Sequence, residues 1–575
     1  SPDVITMSDQ EVIQVRRVRV DRDVNCIMRD GVTLRADVWR PDDSDAHPAL
    51  LQRTPYNKAD SQQAIVFAAL EPIRAVEAGY IVVVQDVRGR FASDGDFDPF
   101  RSEALDGEDT LSWLWAQPWS DGNVMMYGQS YFGATQLLAA TTSHPALKAI
   151  APHLTASEYY EGWTYEGGAF QLGFALFWVM AGLAPVQLAR LALSEQAALR
   201  PALETLLSDT TAAFAYTPYA DLPGVGLLAP YYRDWIDHPR RDVYWNAVAI
   251  NERYDDIHVP ALHIGGWHDI FLKGTLENFA RLVVGAARQR LIVGPWAHGN
   301  LMDTVGAADY GSAASEAALD MTAQHLRFFD AVLGRSIDDS QEVCLFVMGE
   351  NRWREFDRWP PSESSPRDWF LGAGTLGDVS VDGAPDTFAY DPNHPVPTVG
   401  GPNFLPGLFI SRLSGEQPQT LVEERKDVLL YTSAPLTEDI VVIGPLRVHL
   451  FASTDAEDTD FTARLTDVHP GGGSFSVADG IRRGRYRQST ERARFAEPGN
   501  VEEYVIDLGS TARVFACGHR IRLQISSSNF PRFDRNPNST VEPALAAEND
   551  FRIAHQTVVH NPTYPSRLVM SVMSK

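Results

Sequence analysis

Apolar and polar positions along this chain fall into three regimes. Over residues 1–156 and again over 257–366, short apolar runs alternate with stretches at helical spacing, the pattern of an α/β domain. Val24–Met28 and Thr33–Trp39 flank Arg29-Asp30-Gly31 and predict a hairpin turning on Asp-Gly. Ala49–Arg53 predicts a short strand, and the β-branched run Ile81–Asp86 a strand buried on both faces of a sheet. An amphipathic helix over Ser102–Trp119 is followed by strands over Asn123–Tyr127 and Ala146–Pro152, with a helix starting at Ala134 between them. Pro260–Gly266 and Gln289–Pro295 predict further strands, and Gly274–Val284 and Ala314–Leu333 helices.

Residues 157–256 read differently. Aromatics and alanines dominate, β-branched runs vanish, and the spacing is helical, which predicts a helical cap inserted into the α/β domain. From residue 367 to 575, short alternating runs such as Leu446–Phe451 and Arg520–Ile525 sit between Gly, Pro, Asp and Asn clusters. That pattern predicts an antiparallel sandwich or jelly roll. The expected fold class is an α/β-hydrolase core with a helical cap insertion and a C-terminal β jelly-roll domain.

Charge and composition narrow the partners. A formal net charge of −26 over 575 residues argues against nucleic acid and anionic membranes, which are themselves negative. Gly167–Ala189 is charge-free and approaches membrane-spanning length, but Gln171, Pro185 and Gln187 and its Phe and Trp content predict a buried helix over a pocket. Ser1-Pro2-Asp3-Val4 opens a polar, mixed-charge segment without the form of a secretory signal. Cys26, Cys344 and Cys517 form no ligand pattern and read as buried small residues in a reducing cytoplasm, one bridge among them remaining open. Asp455, Glu457, Asp458 and Asp460 lack EF-hand spacing and predict an exposed loop.

The chemistry concentrates at Gly128-Gln129-Ser130-Tyr131-Phe132-Gly133, where a glycine-flanked serine stands between a strand and a helix. A serine hydroxyl becomes a nucleophile when a base takes its proton and a third group orients the base. In the strand–turn–helix context of an α/β-hydrolase the partners follow in the order acid, then histidine. Asp269 and His298 follow strands in that order, after Gly265-Gly266-Trp267-His268 and Gly294-Pro295-Trp296-Ala297. Glycines beside each turn are expected to let the backbone bend there. Ser130 is thus the candidate nucleophile, His298 the base and Asp269 its orienter. His268 competes with His298, but its side chain should diverge from that of the adjacent Asp269.

Phe132 departs from the ordinary Gly-x-Ser-x-Gly turn, delaying the second glycine to Gly133. This variant resembles the cocaine-esterase and X-Pro dipeptidyl-peptidase group of α/β-hydrolases. Met28–Leu34, Thr54-Pro55-Tyr56-Asn57-Lys58, Gln85–Gly95, Gly265–Asp269, Gly294–His298 and Ser526–Pro531 carry the resemblance across nearly the whole chain. It implies an oxyanion hole made by the Tyr56 hydroxyl and the Tyr131 backbone N–H, with no cofactor and no metal. It further implies an aromatic acyl pocket formed by Trp163, Trp178 and Phe271, with Phe404 and Leu405 in related positions, although each of these aromatics also suits a plain core.

The expected reaction is hydrolysis of a small-molecule ester through an acyl-enzyme, with amide, peptide or α-amino-acid ester cleavage as the alternative. Ile270-Phe271-Leu272 after the acid leaves no amine clamp there; Glu161 and Glu166 are the remaining carboxylates for one, though a solvated face is expected for them. A non-catalytic carbohydrate- or protein-binding role is disfavoured by the intact Ser130, Asp269, His298 and Tyr56 set. Homo-oligomerisation is left open.

Overall fold

The predicted hairpin starts the first sheet. In the computed structural model, which describes residues 17–60, 70–406 and 413–574, β1 (Val18–Ile27) and β2 (Thr33–Pro41) pair antiparallel across Asp30-Gly31. Ser1–Val4 and the rest of the first sixteen residues lie outside the described residues. After β3 (His47–Thr54) and β4 (Ile81–Asp86) come β5 (Ser120–Gln129), β6 (Leu147–His153), β7 (Ala261–His268), β8 (Gln289–Ala297), β9 (Val343–Val347) and β10 (Arg352–Phe356). The ten strands lie in the order β1-β2-β4-β3-β5-β6-β7-β8-β9-β10. Neighbours from β4 through β9 run parallel, while the pairs at the two edges are antiparallel. Helices cover both faces, so central strands such as Ile81–Asp86 are buried throughout. Ligand-facing residues of such a sheet collect beyond the C-terminal strand ends.

The serine turn joins β5 to a helix, α1 (Tyr131–Ala140). Ser130 sits at φ 59° and ψ −123°, a conformation that L residues rarely adopt and that surrounding contacts must hold. Its N–H donates to the His153 carbonyl at 2.8 Å, and its carbonyl accepts from Thr155 Oγ1 at 2.8 Å. Gly128 has φ +122°, and a Cβ there would stand 2.6 Å from the Phe132 Cβ. Only one of these two facing positions has room for a side chain. Here Phe132 takes it, and the next residue, Gly133, is glycine because a Cβ there would meet the Thr155 Cβ at 2.7 Å.

A helical run over residues 172–190 follows, made of Leu172–Phe177, a π-helical turn at Trp178–Leu183, and Ala184–Arg190. It is the one helix among the described residues long and apolar enough to cross a membrane, and it is mostly buried. Further helices continue to about residue 256, the longest being Leu193–Ser208, and the two-residue strands Tyr165–Glu166 and Ala169–Phe170 precede the run. The expected helix Ala314–Leu333 is broken. Asp320 turns left-handed at φ 48°, and its carboxylate accepts from Ala323 N to start Met321–Val332 afresh.

Residues 364–573 form an eleven-stranded sheet, antiparallel except where Thr375–Gly377 runs beside Leu429–Ser433. Its fifteen-residue strand Ile440–Thr454 pairs with three others. Asp458 and Asp460 are not in an exposed loop: they are buried ion-pair partners of Arg485 and Arg483 at 2.7 and 2.9 Å, because two guanidiniums point into the same interior. Cys26 is buried as expected, but Cys344 is half-buried and Cys517 exposed, the latter on the loop that precedes a strand.

Beneath α1 lies a charged core. Arg53 donates to Glu103 Oε2 at 2.6 Å and to Gln85 Oε1 at 2.8 Å, and the Tyr131 hydroxyl donates to Glu103 Oε1 at 2.8 Å. Burial raises the Glu103 carboxyl above its usual range even with Arg53 beside it. Removing one member of such a pair strands the other charge in the interior. Arg53→Met is therefore expected to cost about 3–5 kcal/mol, read as a lowered urea midpoint. Gly128→Ala should destabilise by about 1–3 kcal/mol in the same assay, since both backbone and Phe132 oppose a Cβ.

Candidate active site

Three strand ends bring the candidate triad together. Ser130 follows β5, Asp269 follows β7 and His298 follows β8. His298 Nδ1 lies 2.7 Å from Asp269 Oδ1, and Nε2 lies 3.0 Å from Ser130 Oγ. Against a carboxylate, Nδ1 carries the proton, so the Nε2 lone pair faces the serine hydroxyl. Asp269 is itself fixed, its Oδ2 accepting from Phe271 N at 3.0 Å. The imidazole meets the rings of Phe271 and Phe404 edge to face, at centroid distances of 4.9 and 5.2 Å. This arrangement can polarise a serine for attack on a carbonyl.

The glycines near these turns act otherwise than expected. A Cβ on Gly266 would meet the Trp296 carbonyl at 2.4 Å, and one on Gly294 would strike the Trp296 indole at 2.4 Å. They make room for a tryptophan between strands, and neither has a positive φ. His268 is excluded as base: its Nε2 lies 2.9 Å from the Tyr310 hydroxyl, and burial lowers its pKa to about 4.

Tyr56 stands over the same cavity as Ser130. Its oxygen accepts from Trp178 Nε1 at 2.8 Å, which directs the phenol's own proton away from the indole. Burial raises its pKa, so the phenol stays protonated and able to donate. Arg90, a residue the sequence reading gave no role, holds this arrangement. It donates to the carbonyls of Pro55 at 2.9 Å, Gly182 at 2.9 Å and Leu183 at 3.0 Å. It thereby ties the tyrosine loop to the π-helical turn that carries Trp178. Tyr131 opens α1, so its N–H has no intrahelical acceptor and sits beside Ser130. Its ring turns the other way, toward Glu103.

The cavity is about 200 Å³ and is lined by Tyr56, Ser130 and His298 with Phe132, Phe174, Phe177, Trp178, Ala181, Gly182 and Phe404. Of the five expected pocket residues, Trp178 and Phe404 reach it. The other three form a layer behind it. Trp163 is stacked on Phe271 at 4.2 Å, Phe271 is spent against His298, and the Leu405 side chain fills the space left by Gly173. Phe174, Phe177, Trp178 and Ala181 were missed as a set, though their spacing of three and four is a helix face readable from sequence.

Glu161 and Glu166 do not lie on a solvated face. Glu166 is buried between Lys273 at 2.7 Å and Arg532 at 3.0 Å. Burial opposes its charge, but these two cations outweigh that and hold its pKa below the usual value. Burial pushes Glu161 up to about 7, and both its oxygens accept from Gly167 N. Neither lines the cavity.

Comparison with known proteins agrees with this architecture. Residues 30–300 match the X-Pro dipeptidyl-peptidase (S15 family) profile, and residues 335–569 match the X-Pro dipeptidyl-peptidase C-terminal non-catalytic domain. Cocaine esterase of Rhodococcus sp. (strain MB1 Bresler) is 37% identical over 95% of this chain and 97% of its own length. A putative serine esterase of Mycobacterium bovis is 27% identical over 88% and 90% of the two chains. Among solved structures, an α-amino acid ester hydrolase superposes with a TM-score of 0.79 at 26% identity, covering 100% of this chain and 99% of that one. An aminopeptidase from a marine sediment Thaumarchaeota archaeon gives 0.80 at 26% identity, with the same coverage. The chain is a cocaine esterase-like member of the X-Pro dipeptidyl-peptidase (S15) family, a family of hydrolases.

Proposed function

We propose that this chain is a serine carboxylesterase acting on esters with an aromatic or bulky apolar acyl group. The observation that carries this is the Asp269–His298–Ser130 line opening into a cavity walled by aromatic rings. Ser130 Oγ attacks the ester carbonyl as His298 Nε2 takes its proton, and Asp269 holds the resulting imidazolium. The Tyr56 hydroxyl and the Tyr131 N–H donate to the developing oxyanion. His298 returns the proton to the departing alcohol, and water then releases the acid by the same route in reverse. In this reading residues 157–256 act as a cap over the site and residues 367–575 as a jelly-roll domain. The enzyme works on a small-molecule substrate in the cytoplasm without cofactor, nucleic acid or membrane.

Cleavage of α-amino-acid esters or peptides is the second reading, favoured by the two structural relatives named for those activities. The cavity supports it less. Among the described residues no Asp or Glu lines it, and Glu166 is already neutralised by two cations. A substrate ammonium would enter an aromatic wall without a counter-charge.

Steady-state kinetics on p-nitrophenyl benzoate and on matched free and N-blocked α-amino esters separate the readings. The benzoyl and blocked esters are expected to be preferred; strong preference for the free amine would overturn the acyl assignment. Ser130→Ala should abolish turnover. Tyr56→Phe should lower kcat by about 10²–10³ with little change in KM, as loss of one oxyanion donor does. Wild-type kcat in Tyr56→Phe would remove that residue from the mechanism.

A further inference from the structure

Outside the cavity at Ser130, the second sheet carries a cluster with the chemistry of a metal site. The strand Asp460–Val468 runs antiparallel to Arg520–Ser526, with Val468 opposite Arg520 and Asp467 opposite Ile521. Continuing that register by one step sets His469 opposite His519. Side chains two apart on a strand share a face, and cross-strand partners are neighbours on it. Asp467, His469 and His519 therefore project together. The two imidazoles stand 4.5 Å apart by ring centroids. His519 Nδ1 lies 2.8 Å from Asp467 Oδ1, and His469 Nε2 lies 3.8 Å from Asp467 Oδ2.

We propose that Asp467, His469 and His519 bind a divalent first-row transition ion such as Zn²⁺. One ligand atom from each falls within 4.8 Å of the others. The 2.8 and 3.8 Å separations bracket the roughly 3–3.5 Å between ligands on an ion with bonds of about 2.0–2.1 Å. Two imidazoles and a carboxylate suit zinc, copper, nickel or cobalt rather than calcium or magnesium.

Three further observations favour the site. Its backbone is set in advance: His469 N donates to Gly473 O at 2.8 Å, and Leu436 N to His519 O at 2.8 Å. Its charge suits a cation. Arg513 donates to Asp467 at 3.0 Å, but it is also paired with Glu416 at 2.6 Å, so the aspartate's charge is not cancelled. Lastly, the cluster opens on a cavity of about 470 Å³ also lined by Asp309, Glu350 and Asp439, which shares no residue with the cavity at Ser130. Water from that cavity fills the positions the protein leaves open. To bind through Nδ1, His519 takes its other neutral tautomer: the proton shared with Asp467 leaves Nδ1, Nε2 takes one from solvent, and the freed Nδ1 lone pair takes the ion.

The two histidines lie fifty residues apart, just beyond the ends of two paired strands, which is why no linear motif announces them. The test is titration of the tag-free, chelator-stripped and desalted full chain with Co²⁺, read by visible absorption, and with Zn²⁺, read by calorimetry. One ion per chain is expected. His469→Ala and His519→Ala should each weaken it by at least about tenfold, and the double variant should lose it. His394→Ala and His555→Ala, exposed histidines beside other aspartates, should titrate like the wild type. Both site variants should keep the wild-type melting temperature and ester hydrolysis, which separates loss of the ion from loss of the fold. Absence of binding, or wild-type affinity in the double variant, overturns the proposal.

Discussion

The hydrogen-bonded line from Asp269 through His298 to Ser130 ties residues 29 and 168 positions apart to a tolerance of a few tenths of an ångström. A loop cannot hold that by itself. Parallel neighbours in one sheet can, because the strands before all three residues end on the same edge. The serine's strained backbone follows from the same constraint. Its φ of 59° is held by two bonds, one that its N–H donates to the His153 carbonyl and one that its carbonyl accepts from Thr155.

What surrounds that line comes from all three parts of the chain. The first sheet and its loops supply the triad and Tyr56, the helical run supplies Trp178 and Phe174, and a loop between strands of the second sheet supplies Phe404. Arg90 spans two of these parts, joining the Pro55 carbonyl to those of the π-helical turn. Such turns recur at functional sites because they leave carbonyls without their ordinary helical partners. Here a buried guanidinium takes those at 182 and 183. The result is a cavity walled mainly by apolar side chains, a setting in which an oxyanion donor is worth more than it is in water.

Much of this was legible in the sequence, for identifiable reasons. Ser130, Asp269 and His298 could be found because each follows a recognisable apolar strand, and order along the chain maps onto one sheet edge. The pocket was legible only in part. Trp163 and Trp178 look alike in composition, but the helical turn sends one to the cavity and the other to the layer behind it. Glu166 looks solvated in the sequence because its cations, Lys273 and Arg532, lie more than a hundred residues away. Asp458 and Asp460 look exposed too, although their arginines, Arg485 and Arg483, follow only 27 and 23 residues later, across a strand turn. A carboxylate looks exposed until the distant arginine that buries with it is known. Gly266 and Gly294 gave a correct location for a wrong reason, since they serve Trp296 and not a bend.

Covalent acylation of Ser130 during turnover follows from the proposed mechanism. It is tested most directly by rapidly acid-quenching the enzyme with p-nitrophenyl benzoate and mapping the digested chain by mass spectrometry. A benzoyl group on the peptide bearing Ser130, formed with a burst of p-nitrophenol matching the enzyme concentration, is the predicted result. Continued hydrolysis with the acyl group on another residue, or with Ser130→Ala showing the same burst, would contradict it.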